Sequence, residues 1–265
     1  MKKNNKPFIL LFAFTGLILL FTLSCKKDDS NTADETTVKD IDGNVYKTVT
    51  IGTQTWMAEN LRTTRYNDST LIPLPFAKSS AILGPFVCTY KYTINSDTIK
   101  TYGRLYNWYA ITAGNGKLCP KGWHIPSDAE WKTLTDYLSD HGYNYDGSPA
   151  ATSAPGSNPV NLIGKALAST TGWLSSAIEG SVGNTDFPDK RNSSGFTAFP
   201  SGARTDAGKF EYMGVGGFWW TTTENSSNTV NAYGRSILND SYSINRGDAS
   251  KICGFSVRCV KDTQP

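Results

Sequence analysis

The chain has 265 residues and a formal net charge of +3, from 26 basic and 23 acidic residues. Lys2, Lys3 and Lys6 fall in an N-terminal leader, and without them 26 − 3 = 23 basic residues balance 23 acidic ones; no basic stripe of the kind that binds nucleic acid remains. Charged residues at 18%, aromatic residues at 12%, 24 Gly and 12 Pro exclude extended disorder and describe a loop-rich domain with an aromatic core.

After those lysines comes an apolar run from Phe8 to Leu23, interrupted by Thr15, Gly16 and Thr22 and ending at Ser24-Cys25. A membrane-spanning helix needs about 20 apolar residues, so this shorter run reads as the removed part of a secretory signal, residues 1–24. The stretch Cys25-Lys26-Lys27-Asp28-Asp29 resembles the lipoprotein signals of Bacteroidota, although Thr22 stands where most such signals have Leu. The resemblance implies acylation of Cys25, anchoring in outer-membrane lipid and display at the cell surface. Residues 25–39 are acidic and Thr-rich with almost nothing to bury, which predicts a polar tether before a single domain over 40–262.

Within that domain, Val45–Ile51 and Gln54–Met57 are β-prone runs around Gly52-Thr53, a hairpin pattern. Residues 67–101 lack a clear period and read as a long excursion with one strand pair around Val87 to Lys100. Ser127 with Glu130 three residues on is a capping box, and Trp131, Leu134, Tyr137 and Leu138 then share one helical face up to Gly142. Asn158-Pro159 predicts a second, shorter helix to Ala168, after a surface loop at 147–157. Short strands are expected at Phe196–Phe199, Phe218–Thr223, Val230–Leu238, Ser241–Arg246 and Gly254–Val260. Helices early and strands late predict an α+β class, with two helices packed on short antiparallel strands.

Besides Cys25 the chain has Cys88, Cys119, Cys253 and Cys259, an even number in an exported chain, which predicts two disulfides. On an extended strand Cys253 and Cys259 lie about 20 Å apart, beyond the ~7 Å a disulfide allows, so they do not pair with each other. Two connectivities stay open: Cys119 with Cys259 and Cys88 with Cys253, or the crossed pairing.

Five blocks in order resemble the Fibrobacter succinogenes major paralogous domain. They are Gln54-Thr55-Trp56-Met57-Ala58-Glu59-Asn60-Leu61, Gly103-Arg104-Leu105-Tyr106-Asn107-Trp108-Tyr109-Ala110, Cys119-Pro120-Lys121-Gly122-Trp123-His124-Ile125-Pro126-Ser127 running on to Glu130-Trp131, Phe218-Trp219-Trp220-Thr221-Thr222-Thr223-Glu224, and Gly254-Phe255-Ser256-Val257-Arg258-Cys259-Val260. The resemblance implies a disulfide-tied fold similar to C-type-lectin-like and formylglycine-generating, sulfatase-modifying proteins, with no established biochemical activity to carry over. It also favours Cys119 with Cys259, both inside blocks, and leaves Cys88 with Cys253 as an additional pair.

No catalytic residue is expected. His124 and His141 sit in no metal or triad spacing, no G-x-S-x-G elbow occurs, and Glu130 is accounted for by the capping box. Trp56, Trp108, Trp123 and Trp131 read as core. In Trp219-Trp220 strand alternation sends the rings to opposite faces, and with Glu224 and Asn225 beyond them this strand end is the expected ligand-binding edge. No cofactor or metal is expected; calcium stays open only through the analogy with C-type lectins, whose calcium motifs are not visible here. Asp68-Ser69-Thr70 and Asp97-Thr98-Ile99 resemble O-glycosylation acceptors of Bacteroidota. The functional expectation is a non-enzymatic surface domain binding a glycan or a surface protein. The alternatives are a structural or adhesive envelope component and an enzyme derived from the formylglycine-generating oxidases.

Overall fold

The computed structural model describes Met1 and residues 37–75, 83–113, 117–149 and 161–263. The expected leader, Cys25, most of the tether, Asn158-Pro159 and most of the 147–157 loop lie outside the described residues. Two five-stranded sheets carry the domain. The first contains β1 (Thr37–Lys39), β2 (Val45–Ile51), β3 (Gln54–Met57), β12 (Val260–Lys261) and β6 (Trp123–His124), antiparallel throughout and neighbours in that order. The second runs in the order β11 (Asn245–Ser250), β10 (Asn231–Leu238), β9 (Gly216–Glu224), β7 (Ser201–Arg204) and β8 (Phe210–Met213), antiparallel except where β7 meets β9 at Gly202 and Gly217. A third pair joins β4 (Val87–Cys88) to β5 (Leu105–Tyr106).

The expected hairpin is β2 and β3. Gly52 turns at φ +60°, and a Cβ there would come within 2.7 Å of the Tyr137 ring, so the turn takes glycine for both conformation and contact. The expected long helix is α3 (Asp128–Asp140), opened by the Ser127–Glu130 capping box, with Trp131, Leu134 and Leu138 buried and Gly142 following at φ +79°.

The α+β, C-type-lectin-like class with two packed helices does not hold. The fold is mostly β: among the described residues the α-helices besides α3 are α1 (Ser96–Tyr102), α2 (Trp108–Thr112) and α4 (Gly164–Leu167), of 7, 5 and 4 residues. The second expected helix is reduced to α4: residues 161–163 are not helical, with Asn161 exchanging hydrogen bonds with Ile244 and the Leu162 amide donating to Asn144 Oδ1, and Ala168 is already extended and bridges Ala198. The excursion contains α1 where strand was expected, started by Asn95, whose side chain accepts from the Thr98 amide.

The expected strand Gly254–Val260 is instead a seam. Gly254 bridges Arg204, Phe255 bridges Tyr106, Ser256 bridges Trp219, and only Val260 and Lys261 join the first sheet. Two cores flank β9. Trp219 enters one with Trp56, Trp131, Phe196 and Ile237, and Trp220 enters the other with Met57, Leu61, Tyr106 and Val257. In the first, Trp131 lies 4.9 Å from Trp56 and 5.6 Å from Phe196, ring centroid to ring centroid.

Cys119 and Cys259 form a disulfide, their Cα atoms 6.0 Å apart. The additional pair is not formed: Cys88 and Cys253 are buried free thiols. Cys88 pairs with Leu105 on β5, whose Tyr106 bridges Phe255 on its other side, so β5 separates the two segments. Two strand spacings amount to about 9–10 Å, beyond disulfide reach.

Candidate functional site

Both expected stacking platforms are internal. Trp219 and Trp220 are fully buried, and their ring N–H groups donate to Asn60 Oδ1 at 2.9 Å and to the Tyr106 carbonyl at 2.8 Å. Strand alternation sends the rings to opposite faces as expected, but both faces of β9 are covered.

Glu224 and Asn225 do reach the surface at the end of β9. The Lys251 ammonium ion-pairs with Glu224, donates to the Thr229 carbonyl and lies 4.5 Å over the Trp108 ring. Asn225 turns the other way: its amide donates to Asp248 Oδ2 at 2.9 Å, and the Asn231 amide donates to the same oxygen at 2.8 Å. These two donors, Asn231 first, hold the exposed Asp248 carboxyl below its usual range.

Register explains the neighbours. Asp248 stands opposite Tyr233, and Arg246 opposite Arg235, on one face of β10 and β11. The Arg246 guanidinium covers the half-buried Tyr233 ring at 3.6 Å and donates to both Asp128 oxygens, at 3.0 and 2.9 Å. Arg235, buried, holds Asp128 Oδ1 at 2.6 Å. The result is a solvent-facing patch in which carboxylates, side-chain amides, a guanidinium and one aromatic ring are fixed by one another. Asn225 belongs to it; Tyr233, Arg246, Asp248 and Asp128 were not anticipated. Their alternation in 231–235 and 246–248 was visible, but only strand pairing puts them side by side.

His124 is held from both sides. Its ring nitrogens meet Glu130 Oε1 and Asp262 Oδ1, each at 2.6 Å, while Glu130 Oε2 accepts from the Ser127 amide and hydroxyl. The Glu130 hydrogen bond, opposed by partial burial and assisted by Asp262, raises His124 to about 9. Burial alone would raise Glu130, but the bonds from His124 and Ser127 outweigh it and hold the carboxyl at about 2. An imidazolium with both nitrogens engaged is a clamp between β6, the start of α3 and the residue after β12, not a general base.

His124 stabilises fully below its unfolded pKa of about 6.5 and loses this as pH rises toward 9; Glu130 stabilises above about 4.5 and loses this as pH falls toward 2. The stability difference between wild type and His124→Gln is therefore expected to be flat from about pH 4.5 to 6.5 and to shrink on both sides. With both groups about a third exposed, it should be on the order of 1 kcal/mol. Urea midpoints across pH measure it, and a pH-independent difference would reject the clamp.

Among the described residues no three His, Cys, Asp or Glu side chains converge on a metal position. One oxygen-lined loop is filled by an ammonium: the buried Lys165 Nζ donates to Asp186 Oδ1 at 2.5 Å, the Asp186 carbonyl at 2.7 Å and the Asn184 carbonyl at 2.8 Å. The thiols of Cys88 and Cys253 are pushed by burial up to about 12 and 11.

The family model of the Fibrobacter succinogenes major domain matches residues 49–261. The chain belongs to this family. No curated protein and no solved structure matches it. The blocks that carry the Fibrobacter succinogenes major domain resemblance supply the scaffold, with Trp56, Trp131, Trp219, Trp220 and Arg258 all fully buried. Asn225, Asn231, Tyr233, Arg246 and Asp248 lie outside those blocks, on the surface that the scaffold presents.

Proposed function

We propose that this Fibrobacter succinogenes major domain is a non-enzymatic glycan-binding module, held at the outer-membrane surface by acylated Cys25. The observation that carries the reading is the Asp248 centre, an exposed carboxylate beside two oriented amides, with a guanidinium-capped tyrosine across the strand pair. Carboxylates accept from sugar hydroxyls, amides both donate and accept, and a ring edge or face meets the C–H side of a pyranose. Mutual hydrogen bonding fixes these groups before a ligand arrives, which lowers the ordering cost of binding. The reading calls for no metal or cofactor. Against descent into oxidase chemistry stand the two free thiols, buried and protonated at neutral pH, and the two cysteines already joined.

A glycan array probed with the mature protein, with and without a chelator, identifies the ligand. For that ligand, Asp248→Ala combined with Asn225→Ala is expected to weaken binding by roughly tenfold or more, about 1.4 kcal/mol. The melting temperature should barely move, since exposed substitutions fall within about 0.5 kcal/mol. Unchanged affinity in the double variant would refute this site.

A further inference from the structure

Five of the large exposed apolar side chains lie on segments that neighbour one another. Ile41, Val45, Leu71, Leu74 and Leu83 are 44%, 51%, 64%, 71% and 77% exposed. Backbone and side-chain contacts link the segments that carry them. Asp42, next to Ile41, accepts from the Thr64 amide at 2.6 Å and pairs with Arg65, and Arg65 bridges Leu71. Arg62 donates to the Val45 carbonyl at 2.6 Å. The Pro73 carbonyl before Leu74 accepts from Val87, and the Gly84 carbonyl after Leu83 accepts from Asn107, whose own carbonyl-side oxygen holds the Phe86 amide. A single exposed Leu needs no explanation, but a contiguous group marks a contact surface.

We infer that this end of the domain rests on the lipid surface to which the chain is anchored, with Ile41, Val45, Leu71, Leu74 and Leu83 entering the headgroup–acyl boundary. The inference rests on acylation at Cys25. The length of chain points to lipid: Thr37 follows Cys25 by 12 residues, which span at most ~40 Å. β1 then leads directly to Ile41 at the tip of the first turn. On so short a leash the apolar end stays beside the bilayer, where burying these side chains removes apolar surface from water.

The full-length acylated protein, reconstituted in vesicles of phosphatidylethanolamine and phosphatidylglycerol, tests this. An environment-sensitive dye is attached at Leu74→Cys, at Leu83→Cys or, as control, at Ile178→Cys, which is 48% exposed in the loop that meets Asn239 just after β10, a segment with none of the contacts described above. Cys88 and Cys253 are buried and stay unlabelled. Brominated acyl chains are expected to remove most of the emission at positions 74 and 83 and none at 178. Equal emission at all three positions in protein that floats with the vesicles overturns the inference and leaves the anchor intact. Shielding of 74 and 83 from aqueous iodide without lipid quenching would assign the surface to a protein partner or second copy, and overturns it too. Protein that fails to float overturns the anchor and this inference with it.

Discussion

Reducing Cys119–Cys259, or replacing both cysteines with serine, is expected to lower stability by about 5 kcal/mol, the chain-entropy value for a loop of this size. The bond joins residues 140 apart. It sits where long-range order is hardest to establish: Cys259 lies beside β12, which enters the first sheet between β3 and β6, and its carbonyl accepts from the Met57 amide. Without the link the seam from Gly254 to Val260 must find β5, β7, β9, β3 and β6 from an unrestricted chain. Urea unfolding with and without reductant measures the effect, and coincident midpoints would refute it. The same titration tests the thiol assignment: two thiols should become reactive only when the chain unfolds, and none if Cys88 and Cys253 were joined.

Local signals in the sequence were reliable where the chain closes its own hydrogen bonds. The Ser127–Glu130 box defines the start of α3, and Gly52 defines the β2–β3 turn, because a cap or a turn is settled within a few residues. Asn95 and Asn107 are caps of the same kind but were not anticipated, because no clear apolar period follows Asn95 and α2 is only five residues long. The class was misjudged because helix length depends on what packs against it. Asn161 and Leu162 bond to Ile244 and Asn144 instead of opening α4, contacts no spacing announces.

Alternation also has two meanings. In Gly254–Val260 it marks a segment touching successive partners on both sides, so a regular strand was expected where isolated bridges occur. In Trp219-Trp220 it was read correctly, yet which faces of β9 are covered is a property of the whole fold. Surface chemistry was the least legible: Asp248 lies 23 residues from Asn225, and only the β9–β10 and β10–β11 pairings together bring them side by side.

Replacing Arg258 is expected to be as damaging as losing the disulfide, for a different reason. Its guanidinium is fully buried beside the Phe196 and Trp219 rings, 4.2 and 5.9 Å from their centroids, and no carboxylate lies in bonding contact with it. It donates to the carbonyls of Phe196 and Thr197 and, at 2.8 Å, to Asn60 Oδ1. Burial pulls its pKa down to about 9 against the favourable charge of Glu59, so the charge survives at neutral pH with neutral groups as its hydrogen-bond acceptors. The same Asn60 oxygen takes the Trp219 ring N–H at 2.9 Å, and the Asn60 amide holds the Tyr102 carbonyl and Ser256 Oγ. One buried network therefore links Asn60, Trp219, Ser256 and Arg258, drawn from three of the blocks by which the family is recognised. Arg258→Ala takes this donor from the Phe196 and Thr197 carbonyls, leaves Asn60 Oδ1 with Trp219 alone, opens a cavity, and should cost about 3–5 kcal/mol. Arg258→Met separates the two contributions, because Met fills the volume but donates nothing. If acceptor pairing dominates, Met should still lose about 2–3 kcal/mol, at about 1–3 kcal/mol per buried unpaired group. Thermal unfolding of both variants decides the matter, and a Met variant as stable as wild type would show that the guanidinium's desolvation cancels its bonds and that the network is not what holds these blocks together.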